Sequence, residues 1–148
     1  MVDYQYKGYD FHVEVDSLVV GGFSEVSGIE MTVRTEDFNE GGANTFTHKL
    51  ATGIEYPNLV LRRGLADTVL WDWIQDVSNG LVLLPTLKRK NVRVILLDAD
   101  GTERWGWEFL NAYPVKWSGP QFDATQNAVA MESLELVHMG ISRISGMP

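Results

Sequence analysis

Val92-Arg93-Val94-Ile95-Leu96-Leu97-Asp98-Ala99-Asp100-Gly101-Thr102-Glu103-Arg104-Trp105-Gly106-Trp107-Glu108-Phe109-Leu110 reads as two strands joined by a tight turn. Val92 to Leu97 is apolar on both faces, as in a strand covered above and below. Asp100-Gly101 supplies the positive φ angles that a tight hairpin turn requires. Beyond the turn, Thr102 to Leu110 alternates, so that Trp105, Trp107 and Phe109 share one face.

The same pattern extends outward from this hairpin. Upstream, Phe11-His12-Val13-Glu14-Val15-Asp16 alternates, with Phe11, Val13 and Val15 on one face and His12 and Glu14 on the other. Gly21-Gly22 punctuates, and Phe23 to Val26 and Met31 to Phe38 are predicted strands. In the second of these, Met31 and Val33 lie opposite Arg34 and Glu36. Asn58 to Arg63 is a further strand, closed by Gly64. Downstream, Pro114 interrupts, Val115 and Trp117 resume, and Ser118-Gly119-Pro120 breaks the chain again. A last strand is expected from about Ala128 to His138, with residues 1–8 and a tail from Ile141 to Pro148 reading as loose ends.

Two segments differ from this pattern. Glu40 to Gly53 opens with Glu-Gly-Gly-Ala-Asn and closes with Leu-Ala-Thr-Gly. It reads as a long loop with at most a short strand at Thr45–Lys49. Loops beyond about 12 residues are uncommon in compact domains and often functional. This one is either a contact surface or solvated. In the first case Phe46 and Leu50 are its apolar anchors, and Glu40, Asn44 and Lys49 its polar ones. From Asp67 to Asn79 the period changes: Val69, Leu70, Trp73, Ile74 and Val77 form the stripe of an amphipathic helix. Asp67 is the expected N-cap and Gly80 the expected stop. Trp71 lies off the stripe. The apolar link Leu81 to Leu87, with Leu81 and Leu83 foremost, either meets a neighbouring molecule or is buried under its own loop. The expected architecture is a single domain over residues 1–148: mainly antiparallel β, a sandwich or barrel-like fold, with one helix packed on it.

Composition excludes several functions. The chain has no cysteine, so disulfide and thiolate chemistry and sulfur-ligated zinc are out. A net charge of −8 argues against stable nucleic-acid binding. The start, Met-Val-Asp-Tyr-Gln-Tyr-Lys, lacks a basic segment leading into an apolar run, so no secretory leader is expected. No apolar run approaches the ~20 residues of a membrane helix, and no integral membrane association is expected. His12, His48 and His138 stand in no ligand pattern. Asp98 to Glu103 imitates a calcium loop, but the glycine comes too early and the twelfth position is Phe109. Gly21-Gly22 and Gly41-Gly42 lack the Gly-Lys-Ser/Thr of a phosphate loop, and Ser24 and Ser27 sit in no nucleophile elbow. The five tryptophans are read as core, with sugar or base stacking as the other option. No catalytic, metal or cofactor residue is nominated.

Glu25-Val26-Ser27-Gly28-Ile29-Glu30, then Glu40-Gly41-Gly42-Ala43-Asn44, then Leu61-Arg62-Arg63-Gly64 and Leu70-Trp71-Asp72-Trp73 form an ordered series. It continues through Val94-Ile95-Leu96-Leu97-Asp98, Phe109-Leu110-Asn111-Ala112-Tyr113-Pro114-Val115-Lys116-Trp117-Ser118-Gly119-Pro120 and Glu132-Ser133-Leu134-Glu135-Leu136-Val137-His138. The series resembles the phage-tail-tube family, which includes the T4-like tube protein and the inner-tube proteins of extracellular contractile injection systems. The resemblance runs from about Phe11 to Ile141. Leu81 to Leu87, with Pro85, departs from it as a longer and more apolar link.

The resemblance implies a β-sandwich-like subunit without enzymatic activity or cofactor. Such subunits form homohexameric rings that stack into a tube inside a contractile sheath. Sheath protein, a baseplate or tube-initiator protein, a tape-measure protein, a terminator cap and channel cargo are the implied partners. The implied location is the cytoplasm during assembly, then a phage tail or injection particle. On this reading His12 and Glu14, or Arg34 and Glu36, face either the channel or the sheath. The alternatives are a tube-initiating baseplate subunit, an exported effector-carrying hexameric ring, and, more distantly, a small sugar-binding β-sandwich.

Overall fold

The computed structural model describes residues 10–16, 18–38, 48–83, 89–121, 125 and 129–144. In chain order the elements are β1 (Asp10–Val15), β2 (Leu18–Phe23), β3 (Glu25–Ser27), β4 (Thr32–Phe38), β5 (His48–Glu55), β6 (Leu59–Gly64), α1 (Val69–Leu83), β7 (Lys90–Leu97), β8 (Glu103–Ser118), β9 (Met131–Val137) and β10 (Ile141–Arg143). The strands of the main sheet run in the order β2-β1-β7-β8-β9-β6-β3, with β10 also on β8. Every pairing is antiparallel.

Strand β8 turns this one sheet into two layers. Its first part, through Ala112, pairs with β7, and its second part, from Tyr113, pairs with β9. Just before the change of partner stands Asn111, whose φ of 52° is left-handed. Asparagine tolerates that region better than other side-chain-bearing residues. Its amide N–H donates to Asn91 Oδ1 at 3.1 Å. Pro114, expected to interrupt the strand, lies within it instead, next to a bulge between Pro114 and Lys116. The bulge leaves Val115 without an opposite residue, while Pro114 stands opposite Leu136. The chain also crosses between layers at Ser24, where β2 passes into β3 and Ser24 N–H donates to Arg62 O.

The core lies between the layers. Val13, Val15, Phe23, Val92, Val94, Phe109 and Ala112 meet Leu59, Leu61, Leu134 and Leu136 there, and α1 adds Leu70, Trp73 and Val77. On β6 and β9 the inward register runs Leu59 opposite Leu136, Leu61 opposite Leu134, and then Arg63 opposite Glu132. Both members of that last pair are buried. Arg63 Nε donates to Glu132 Oε1 at 2.8 Å and Nη2 to Asp67 Oδ1 at 2.6 Å. Nη1 donates to Val20 O at 3.3 Å, and the guanidinium lies over the Phe23 ring. One arginine thus links β6 to β9, to the edge strand β2 and to the start of α1.

Asp67 is the cap that the sequence predicts, accepting from Val69 N–H at 3.0 Å. That backbone donor, with Arg63 beside it, holds its carboxyl below the usual range. The helix, however, does not stop at Gly80 but runs to Leu83. A helical glycine costs only about 1 kcal/mol relative to alanine, which the packing of one face can override. The expected apolar link therefore begins as helix: Leu81 and Leu83 fall in its last turn, and residues 84–88 lie outside the described residues. The tail is not loose from Ile141 onward, because Ile141–Arg143 pairs with β8 as β10. Residues 1–8 and 145–148 lie outside the described residues. The Asp-Gly turn stands where expected, but of its two residues only Gly101 has a positive φ, +79°, and Asp98 Oδ1 accepts from Asp100 and Thr102 N–H. Arg104 donates to Asp98 Oδ2 at 2.7 Å and is the chief cause of that carboxyl's lowered pKa.

Candidate functional site: an unpartnered hairpin arm

The segment expected to be a long loop is half strand. From His48 to Glu55 it pairs with β4 as a separate two-stranded sheet. The expectation failed because Lys49-Leu50-Ala51-Thr52-Gly53 has neither clean alternation nor strong strand formers; its pairing comes from the opposite strand. Register runs Thr32–Glu55, Val33–Ile54, Arg34–Gly53, Thr35–Ala51, Glu36–Leu50, Asp37–Lys49 and Phe38–His48. A bulge leaves Thr52 unopposed, and its hydroxyl donates to Arg34 O at 3.3 Å.

Paired residues share a face. One face therefore carries Val33, Ile54, Thr35 and Ala51, with Met31 beside them and the Asp37–Lys49 pair further along. The other carries Arg34, Glu36, Glu55, Leu50, Phe38 and His48. Neither face is covered. Met31, Val33, Phe38, Leu50 and Ile54 are each 49–53% exposed. A two-stranded hairpin alone is marginally stable in water. Covering these five half-exposed side chains would contribute on the order of 5 kcal/mol.

The root of the arm is rigid where the arm is bare. Gly28 has φ +94°, and a Cβ there would stand 2.1 Å from Asn58 O. Only glycine lets the outgoing and returning chains pass so closely. Asn58 Nδ2 donates to Glu135 Oε1 at 3.0 Å, and His138 Nε2 lies 3.2 Å from Pro57 O. The His138 ring also packs against Tyr56 and Phe109. Burial lowers its pKa from the ordinary 6.5, partly offset by hydrogen bonds to backbone.

The sequence-nominated residues separate in space. Lys49 and Leu50 lie on opposite faces of the arm, and Arg34 and Glu36 share the face of Leu50. Glu40, Asn44 and Phe46 lie outside the described residues. His12 and Glu14 sit elsewhere, on the outward face of β1, where Arg93 Nη1 meets Glu14 Oε2 at 3.2 Å. Sequence reasoning missed the central part of Arg63 and Glu132. A charged residue at an inward position of each of two otherwise apolar alternations was the available signal.

A second uncovered apolar surface lies between α1 and the end of β8. Trp71, Ile74, Val77, Tyr113, Val115 and Trp117 line a groove of about 670 Å³. Trp71 meets Trp117 edge-on at 4.9 Å. Among the described residues no cluster of His, Asp or Glu could hold a metal ion, and no helix is long and apolar enough to cross a membrane.

Comparison with known proteins follows the same direction. The family model of the T4-like virus tail tube protein gp19 matches residues 7–142. The tube terminator region of an extracellular contractile injection system, PVC, in its extended state contains a chain 28% identical, with TM-score 0.82, covering 98% of this chain and 100% of that one. A chain of the PVC sheath-tube complex is 27% identical, also at TM-score 0.82, over 97% and 93% of the two chains. One in the anti-feeding prophage cap, a tube-terminating cap, is 25% identical at TM-score 0.82, over 99% and 95%. No curated protein matches the sequence.

Proposed function

The chain belongs to the T4-like virus tail tube protein family, and from that premise we propose that its arm is the element through which copies assemble into a tube. The role is structural. Residues 1–148 act as one tail-tube domain that forms homohexameric rings, and the rings stack around a central channel inside a contractile sheath. The observation that carries this reading is the β4–β5 arm, which among the described residues pairs only with itself and exposes five large apolar side chains. A monomer gains nothing from such an arm; a ring or a stack covers it.

The partners that follow are sheath protein, a baseplate or initiator protein, a terminator cap, a tape-measure protein and cargo in the channel. Similar chains occur in a sheath-tube complex and in a tube-terminating cap, which supports the first and third of these. Assembly takes place in the cytoplasm, and the product is part of a phage tail or injection particle. No cofactor and no catalysis are part of the role.

The test is the mass of the purified chain in solution, with electron microscopy of the same fractions. Six copies of 16.6 kDa give rings of about 100 kDa, alone or stacked into tubes with an open channel. A chain that remains monomeric at high concentration, even with an initiator protein supplied, sinks the reading.

A further inference from the structure

The two uncovered apolar surfaces lie toward opposite edges of one layer. In that layer the strands run β3, β6, β9 and then the second part of β8. The arm is the connection between β3 and β6, so it springs from the β3 edge. The groove lies at the other edge, where Tyr113, Val115 and Trp117 belong to the part of β8 that pairs with β9, and α1 forms the facing wall. Trp71 and Val115 are both exposed there, as are Val33 and Ile54 on the arm. The arm of a molecule therefore does not fill its own groove.

We propose that the groove between α1 and β8 receives the β4–β5 arm of a neighbouring copy of this chain. The inference rests on the self-assembly reading above and names where the arm lands. Two different surfaces that meet between neighbouring copies make a heterologous, head-to-tail contact, which closes into rings or continues into filaments.

The chemistry of the two surfaces matches. Among the described residues the groove lining holds no charged side chain, its polar members being Gln75, Ser78 and the tyrosine. The arm face carrying Met31, Val33, Thr35, Ala51 and Ile54 is uncharged along the same stretch, and charge appears only at Asp37 and Lys49. The opposite face, with Arg34, Glu36 and Glu55, would strand charges against indole rings. The uncharged face is the one that enters. A volume of about 670 Å³ is ample for aliphatic side chains and falls within the ordinary range for binding clefts.

The lack of cysteine makes the test direct. V33C and V115C variants are purified separately, mixed, allowed to assemble, and treated with a short flexible bis-maleimide. A T102C variant, at the Asp-Gly turn in the other layer, replaces V115C as control. The expected result is a mixed V33C–V115C dimer at least tenfold more abundant than the V33C–T102C product. Thiol labelling of V115C by a bulky maleimide should also slow at least tenfold on assembly.

Particles that form normally while V33C fails to couple to V115C, with V115C still labelled at the monomer rate, overturn the groove and leave the assembly reading standing. Protection of V115C that appears only when sheath protein is added assigns the groove to the sheath and overturns the proposal likewise. An unmodified chain that forms no particle under any condition removes the assembly reading first, and the groove with it.

Discussion

Arg63 and Arg34 each pair with a glutamate, and the two pairs show how differently the body and the arm are held. Arg63 meets Glu132 at 2.8 Å with side-chain exposures of 6% and 1%. Arg34 meets Glu55 at 3.3 Å with exposures of 58% and 57%. The first pair is locked by Asp67, Val20 O and the Phe23 ring, and it joins three strands and a helix. The second holds two strands of a hairpin that touches little else, and an exposed pair of that kind contributes at most about 1 kcal/mol. The body is folded by its own contacts. The arm has the shape of a folded element without the burial that stabilises one, and the proposed assembly would supply that burial from another molecule.

The comparison breaks most visibly at the arginines. Arg63→Ala leaves Glu132 buried and uncompensated, and should lower unfolding free energy in urea by about 3–5 kcal/mol. Arg34→Ala should shift it by less than about 0.5 kcal/mol. Equal losses would mean that the arm is part of the same cooperative unit as the body.

The paired substitutions Val33→Ser and Ile54→Ser test the converse. Monomer stability should stay within about 0.5 kcal/mol, because both side chains are already half exposed. The concentration needed for ring formation should rise at least about tenfold, read by sedimentation, since two side chains lose much of the ~1.5–3 kcal/mol that full burial of each offers. A variant that assembles like the original chain would show that this face of the arm is not a contact.

Gly28→Ala addresses the hinge between the two regions. With φ +94° and a Cβ 2.1 Å from Asn58 O, the substitution should cost more than about 1 kcal/mol and loosen the root, seen as faster amide exchange at Ile29 and Glu30. Unchanged exchange would place the rigidity of the root elsewhere.

The smallest expected effect is a pH response at that root. Burial lowers the His138 pKa below 6.5, so the unfolded chain binds the proton more readily than the folded one. The stabilisation is complete above pH 6.5 and is lost as pH falls through the folded value. His138→Gln should flatten that part of the stability profile, and an unchanged slope would assign it to other groups.

The strands of the body were legible because each has one wet and one dry side, or two dry ones. Phe11-Val13-Val15 and Val92 to Leu97 carry that pattern in one dimension, whereas on the Trp105-Trp107-Phe109 face Phe109 is buried and Trp105 is exposed, so the tryptophans, Trp71 included, were not all core. The helix was legible for the same reason, at a different period. Its end was not, since whether Gly80 stops a helix depends on what packs against the turn beyond it. Nor was β10, whose three residues are a strand only because β8 offers them an edge. The arm was half legible: Met31 to Phe38 read as a strand, while His48 to Glu55 was hidden by weak formers and a bulge.

By itself, the sequence determined a mainly β domain with one capped helix, the Asp98–Thr102 turn, the lack of cysteine chemistry and the family, because these depend on local periodicity, turn chemistry and ordered motifs. Only the tertiary structure decided that β8 serves both layers, that Arg63 and Glu132 meet in the core, and that the arm and the groove stand uncovered toward opposite edges of one layer. Those facts depend on which distant residues become neighbours, and burial is a property of neighbours that no single segment carries.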